Sequence, residues 1–461
     1  MTRTLLLAAL AVAGIAAAFL LPRRYPAPLA SSSTPPAPAP GAGSLTLTAR
    51  PARQAFLAGG DDLDLVYELQ AAHAVKGARS PVDFALVLDR SGSMTGEPLA
   101  KAKEAARSLV ARLAPDDRLA LVNFGSDARL SLATTPMDAA GKARALEEID
   151  RIAADGGTNI GQALLAALHA LDDAGRREKA VRRMVLLSDG QANEGLVGPS
   201  LIQLARTIDR DGTRVSALGL GVDFDEDLML ALADAGGGRY RYLRDADEVE
   251  SALAQELEQA SATAASGVTL SLQLPEGVEL RELVGYRATT SRGNRLTLAL
   301  SDFAAGERRR VVVRVHARAG HPGERTLARA QVDYTDALAH HPAQSRADAV
   351  ALATNDPSRI AASYDRDAAK AGLQARLGQS LAQAAHLYQN NDSAGATRAV
   401  DGTLGRLQQE AQALGDVGFS ARLAAEGQQA EALLQAAPAP SAAGRASTKS
   451  LKAFGTAAAR R

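Results

Sequence analysis

The run Asp89, Arg90, Ser91, Gly92, Ser93 places a carboxylate and two hydroxyls on alternate residues. All three are hard oxygen donors, of the kind that suit Mg²⁺, Mn²⁺ or Ca²⁺. Asp and Ser are also ordinary turn residues, so the spacing acquires meaning only with further donors elsewhere. Other candidate chemistry is thinner. The 7 histidines are scattered. His340 and His341 are adjacent and cannot share a helix face as a zinc motif requires, so they read as loop residues. Asp223, Asp225, Glu226 and Asp227 suggest a calcium loop at first sight. They lack the remaining ligand spacing and precede a helical stretch, so they read as caps and dipole partners. Arg308, Arg309, Arg310, Arg314 and Arg318 form a basic strand face without the aromatic interleaving of a nucleic-acid surface; a solvated sheet face is expected. No serine elbow or phosphate loop occurs, which argues against a hydrolase.

Composition narrows the classes further. The 461 residues suffice for several domains, and 46% are hydrophobic while only 3% are aromatic. The cores must therefore be built from Ala, Leu and Val. Lys+Arg and Asp+Glu both number 52, so no overall charge favours nucleic acid or an anionic membrane. With Cys 0, disulfides, thiolate metal sites, a cysteine nucleophile and lipid attachment to cysteine are excluded.

Several elements must position the donors. Arg3 precedes an apolar run from Leu5 to Leu21, and Arg23 and Arg24 follow, so residues 1–24 read as a signal peptide or a single N-terminal membrane anchor. Residues 25–43 are a proline-rich spacer. Residues 44–80 show strand-period alternation. From 81 to 262 apolar strands alternate with helices: Phe84 to Leu88, Leu119 to Phe124, Met184 to Leu187 and Val215 to Leu220 are strands, and Pro98 opens a helix buried along Leu99, Ala102, Ala106, Leu109 and Leu113. Such alternation predicts a doubly wound, Rossmann-like α/β sheet. Over 263–355 the period returns to two, as in Val311, Val313, Val315 and Ala317, which predicts an antiparallel β-sandwich module. The strands of 44–80 could join it, making the α/β domain an insertion. Residues 356–437 predict a helical hairpin or bundle, and 438–461 a disordered basic tail.

The Asp89–Ser93 motif at the end of the first buried strand resembles the D-x-S-x-S signature of the von Willebrand factor A (integrin I-like) family, and the resemblance runs from about Val82 to Ala260. It implies a metal-ion-dependent adhesion site of five residues: Asp89, Ser91, Ser93, a threonine in a glycine-rich loop matching Thr158, and an aspartate after a later strand matching Asp189. Strands 1 and 4 of a 3-2-1-4-5-6 sheet would carry the two aspartates at the switch point, where such sheets place ligands. Two carboxylates leave the dication some positive character. The implied function is metal-dependent binding of a protein ligand whose Asp or Glu completes the coordination of Mg²⁺, with Mn²⁺ or Ca²⁺ possible. The expected setting is the cell envelope, either periplasmic or extracellular, or anchored in the inner membrane. The other reading is an assembly scaffold whose metal is structural or regulatory. Neither reading is an enzyme.

Overall fold

The computed structural model describes residues 43–73, 79–286, 288, 290–337, 339–435, 438–439 and 441–460. The expected signal or anchor segment and nearly all of the spacer lie outside them. Among the described residues, no helix is long and apolar enough to cross a membrane.

Leu45–Pro51 (β1), Ala55–Leu57 (β2) and Asp61–Ala71 (β3) come first. The α/β unit follows, with strands Val82–Asp89 (β4), Arg118–Phe124 (β5), Ala128–Pro136 (β6), Val181–Ser188 (β7), Thr213–Leu220 (β8) and Gly237–Leu243 (β9). Its helices are Glu97–Arg112 (α1), Ala139–Arg151 (α2), Ile160–Asp173 (α3), Gly198–Arg210 (α4), Glu226–Ala235 (α5) and Glu248–Ser261 (α6). The sheet order is β6-β5-β4-β7-β8-β9, parallel except for the antiparallel edge strand β6. This matches the expected winding. Every residue of β4 is buried because both sheet faces are covered. Phe84, Leu86 and Leu88 pack with α1, α2 and α6 on one face. Ala85 and Val87 pack with α3, α4 and α5 on the other. Pro98 sits in the first turn of α1, where its missing N–H costs nothing.

Beyond the α/β unit lie Thr263–Gln273 (β10), Val278–Val284 (β11), Thr290–Arg292 (β12), Arg295–Ala299 (β13), Phe303–Ala304 (β14), Arg308–Ala317 (β15), Gly323–Asp336 (β16) and His341–Thr354 (β17). Two sheets result. One has the order β1-β3-β15-β11, and the other β12-β13-β10-β16-β17-β2 with β14 beside β10. Alternating side chains of both sheets, among them Leu65, Tyr67, Val313, Leu270 and Val332, share one apolar core. The first sheet mixes strands from before and after the α/β unit, so that unit is inserted into this two-sheet body. Arg308 and Arg310 of β15 reach Glu68 on the neighbouring β3, a charge-matched sheet face.

Five helices close the chain: Pro357–Ala361 (α7), Arg366–Gln389 (α8), Ser393–Ala413 (α9), Val417–Gln435 (α10) and Ala442–Arg460 (α11). Asn390, Asn391 and Asp392 form the turn between α8 and α9. Asn391 takes φ 63°, and Asp392 caps α9 through the Gly395 amide. Ala368, Ala371 and Ala375 of α8 lie against Val66, Val284 and Val312 on the outer face of the first sheet.

The helix α11 corrects the expectation of a disordered basic tail. Its composition lacks a broad apolar stripe, but small residues let it cross α8 closely: a Cβ on Gly455 would lie 2.5 Å from the Gly378 carbonyl oxygen. Its cations find acids more than 200 residues away in sequence, as the |i−j| of 225 between Lys452 and Asp227 shows. Arg445 pairs with Asp223 at 3.1 Å, and Lys452 with Asp227 at 2.9 Å. Lys449 donates to the Phe224 carbonyl at 2.9 Å, and its ammonium lies 3.5 Å from the centre of the Phe224 ring. The sequence reads as a disordered basic tail and, separately, an acidic helix cap, whereas the fold makes the two partners.

This contact should titrate. Burial, opposed by Lys452 and Lys449, pushes the Glu226 carboxyl from 4.5 up to about 7. Burial, opposed by Glu226, pulls Lys449 from 10.5 down to about 8. Between pH 4.5 and 7 the native protein therefore holds more protons at Glu226 than the unfolded chain does. That contribution to stability is complete below pH 4.5 and is lost as pH rises through 7. At Lys449 the native protein holds fewer protons between pH 8 and 10.5, so stability rises across that window. In urea titrations across pH, Glu226→Gln should flatten the fall at low pH and keep the rise at high pH. Parallel curves for variant and wild type would refute this account of Glu226.

Candidate metal centre

The carboxyl ends of β4 and β7 are adjacent in the sheet, and the chain leaves each in a tight turn. After β4 the backbone enters a single 3-10 turn, Gly92–Met94, pinned by the fully buried Met94 side chain. This turn holds Ser91 inward and leaves Ser93 exposed. The Gly92 amide donates to the Gly156 carbonyl at 3.0 Å, tying the turn to the glycine-rich loop before α3. That loop can lie so close because Gly125 has no Cβ: one there would collide with the Asp155 carbonyl. Thr158 is fixed from both sides by Asn193, which accepts from the Thr158 amide at 2.9 Å and donates its own amide to the Thr158 carbonyl at 3.2 Å.

All five expected residues converge. The Ser91 and Ser93 hydroxyl oxygens are 3.1 Å apart. Ser93 donates to Asp189 Oδ1 at 2.7 Å. A Cβ on Gly190 would meet Thr158 Oγ1 at 3.2 Å and Ser93 Oγ at 3.8 Å, which places the threonine hydroxyl on the same side as the other donors. Asp89 lies beneath them, with no exposed surface. Its Oδ1 accepts from the Ser91 amide at 2.8 Å, and its Oδ2 accepts from the Ser188 hydroxyl.

These separations fit a small divalent cation. Octahedral Mg²⁺ binds oxygen at about 2.0–2.1 Å, so neighbouring ligands sit about 3 Å apart. The Ser91–Ser93 and Ser93–Asp189 edges, 3.1 and 2.7 Å, lie on either side of that value. Electrostatics point the same way. Burial, with the nearby Asp89 charge adding to it, raises the Asp189 carboxyl to about 6 against the Ser93 hydrogen bond. Burial likewise raises Asp89, against the hydrogen bonds of Ser188 and Ser91. Two crowded carboxylates without a cation resist ionisation, and a dication would reverse that. Among the described residues, no three His, Cys, Asp or Glu side chains gather as a metal cluster. The candidate site therefore depends on its hydroxyls.

Sequence reasoning missed three supporting residues. Ser188 immediately precedes Asp189 and anchors Asp89. Asn193 positions Thr158. Arg90, only 2% exposed, spans Asp127 and the Asp155 carbonyl and braces the glycine-rich loop. Asx and hydroxyl residues flanking the motif were the available signal for the first two. Asp225 caps α5 through the Leu228 amide at 3.0 Å, as expected of the acidic cluster.

Residues 83–256 match the model of the von Willebrand factor type A domain. An uncharacterized protein of Synechocystis is 37% identical over 117 residues, 25% of this chain and 27% of its own length. The heavy chain 4 of the inter alpha-trypsin inhibitor of Mus musculus is 35% identical over 124 residues, 25% of this chain and 13% of its own. This chain thus spans about a quarter or less of these curated relatives. Among solved structures, the von Willebrand factor type A protein from Catenulispora acidiphila superposes with a TM-score of 0.69 at 19% identity, covering 90% of this chain and 98% of that one. The likeness is one of fold, and it extends well beyond the α/β unit.

Proposed function

Residues 83–256 form a von Willebrand factor type A domain, and on that premise we propose that the protein binds a protein partner through a divalent cation, with a partner Asp or Glu completing the coordination. The observation that carries this reading is the convergence of two carboxylates and three hydroxyls in an open crevice at the sheet's switch point. Asp89 is sealed below while Ser93 and Asp189 reach solvent, so an ion held there keeps a face for an incoming ligand. Mg²⁺ is the preferred ion on donor hardness, with Mn²⁺ or Ca²⁺ as substitutes. The work is binding rather than catalysis. The apolar run from Leu5 to Leu21 supports an envelope setting for this binding, exported or anchored.

The test is capture from envelope extract on the immobilised full chain, with Mg²⁺ and with EDTA. A partner retained only with Mg²⁺, and lost by Asp189→Ala, is the expected result. Identical partners in both conditions would favour the second reading, an assembly scaffold. That reading draws on the firm attachment of the α/β unit to the two-sheet body through Arg214–Asp302 at 2.7 Å and Arg239–Glu307 at 2.7 Å.

A further inference from the structure

The helix α11 lies outside residues 83–256, yet it closes on the rim of the metal crevice. Arg445, Lys449 and Lys452 follow one another at helical spacing, so they share one face. All three meet residues 223–227, the stretch that leaves β8 and opens α5. Arg445 pairs with Asp223 at 3.1 Å, Lys449 donates to the Phe224 carbonyl at 2.9 Å, and Lys452 pairs with Asp227 at 2.9 Å. The same stretch touches the metal site on its other side. Gln191, just beyond Asp189, donates to the Asp223 carbonyl at 3.3 Å. The Asp189 carboxyl, raised mainly by burial, also feels the Asp223 charge. The two halves of α11 are held differently. Its C-terminal half packs backbone to backbone on α8: a Cβ on Gly378 would lie 2.5 Å from the Ala459 amide nitrogen. Its N-terminal half meets the α/β unit through the three cations, and Lys452 also reaches Gln389 of α8 at 2.9 Å. Ion pairs to exposed acids are weak and salt-sensitive, so the joint to the α/β unit is the more easily opened of the two.

We propose that α11 is a latch on the metal site. Docked, it fixes residues 223–227 and, through Gln191, the chain just beyond Asp189; undocked, it leaves the site less ordered and weaker for the dication. The inference rests on the metal-dependent reading above and adds its regulation from the helical body. Two effects of undocking oppose each other. Taking three cations away would make the crevice more attractive to a dication. The Asp223 and Asp227 side chains, however, are 75% and 61% exposed, where solvent screens such charges. The loss of order is not screened, and it sets the sign. Linkage makes the coupling reciprocal: the metal affinity that α11 supplies returns as tighter docking of α11 when the metal binds.

The test is amide hydrogen exchange on the full-length protein with and without Mn²⁺, alongside Mn²⁺ titration by electron paramagnetic resonance. Mn²⁺ should slow exchange in residues 221–227 and 442–452, while α9, which packs on α8 and α10, keeps its rate. Lys449→Met keeps an apolar stem against the Phe224 ring and removes the bond to the Phe224 carbonyl. It should weaken Mn²⁺ binding about fivefold or more and speed exchange in 221–227. Unchanged or tighter Mn²⁺ binding by the variant would overturn the latch and leave the metal reading standing. So would wild-type α11 exchange that bound Mn²⁺ does not slow. Equal slowing in α9 would mean a general stabilisation with no path through residues 223–227, and would overturn it as well. A wild-type protein that binds no Mn²⁺ would defeat both the latch and the metal reading.

Discussion

Mg²⁺ or Mn²⁺ should raise the melting temperature of the intact protein, and Asp189→Ala should remove that rise. A ligand that binds only the native state stabilises it by about 2.7 kcal/mol at a hundred times its dissociation constant. For an α/β unit of this size that is roughly 5–10 °C. Asp189 is the informative position because its removal leaves little behind: it is half-buried, and its hydrogen-bond partner at the site is the exposed Ser93 hydroxyl. In EDTA at pH 8 the variant should melt at or above the wild type, since a carboxylate that burial raises to about 6 is ionised there at some expense. Asp89→Ala would lose the metal too. It would also strand the Ser91 amide and the Ser188 hydroxyl in a sealed space, lowering stability even without metal. A metal-induced shift of wild-type size in Asp189→Ala would rule out the site described here.

The second large effect lies at the opposite end of the sheet. Arg214 is buried between Asp302 of the two-sheet body, at 2.7 Å, and Asp209 at the end of α4. Asp302 is itself only 5% exposed and also accepts from the Gly267 amide at 3.2 Å. Removing Arg214 leaves the Asp302 carboxylate buried with only the more distant Arg183, 4.0 Å away, to oppose it, and breaking a buried pair in this way costs about 3–5 kcal/mol. Arg214→Met should therefore lower the urea midpoint sharply. Adding Asp302→Asn, which removes the stranded charge, should recover much of the loss, because coupled positions are non-additive. Equal effects of the single and double variants would show that the ion pair is not what holds this junction.

Much of the candidate site and of the sheet around it was legible in the sequence. A strand buried on both faces must be apolar throughout, so Phe84–Leu88 and Met184–Leu187 announced themselves. Donors gather at strand ends because only there can short polar residues face a crevice. What escaped notice had weak local pattern. The edge strand β6 is half solvated and partly irregular in register. The helix α2 buries only Gly141, Ala145 and Ile149, too narrow a stripe to stand out. The fate of the C-terminal segment was not local at all. Gly455 means close packing only once Gly378 is opposite it, and Lys452 means an ion pair only once Asp227 is beside it. Composition records residue types but not which distant residues meet.

The α/β unit enters from β3 and leaves into β10 at one end, where the Ser80 amide donates to the Ser261 carbonyl at 2.9 Å and joins the two connectors side by side. The metal donors sit at the far end of β4. A pull on the metal-donor end would thus run lengthwise down the sheet and divide between the two connectors. Near the loaded face, α11 grips residues 223–227 and provides a second load path into α8.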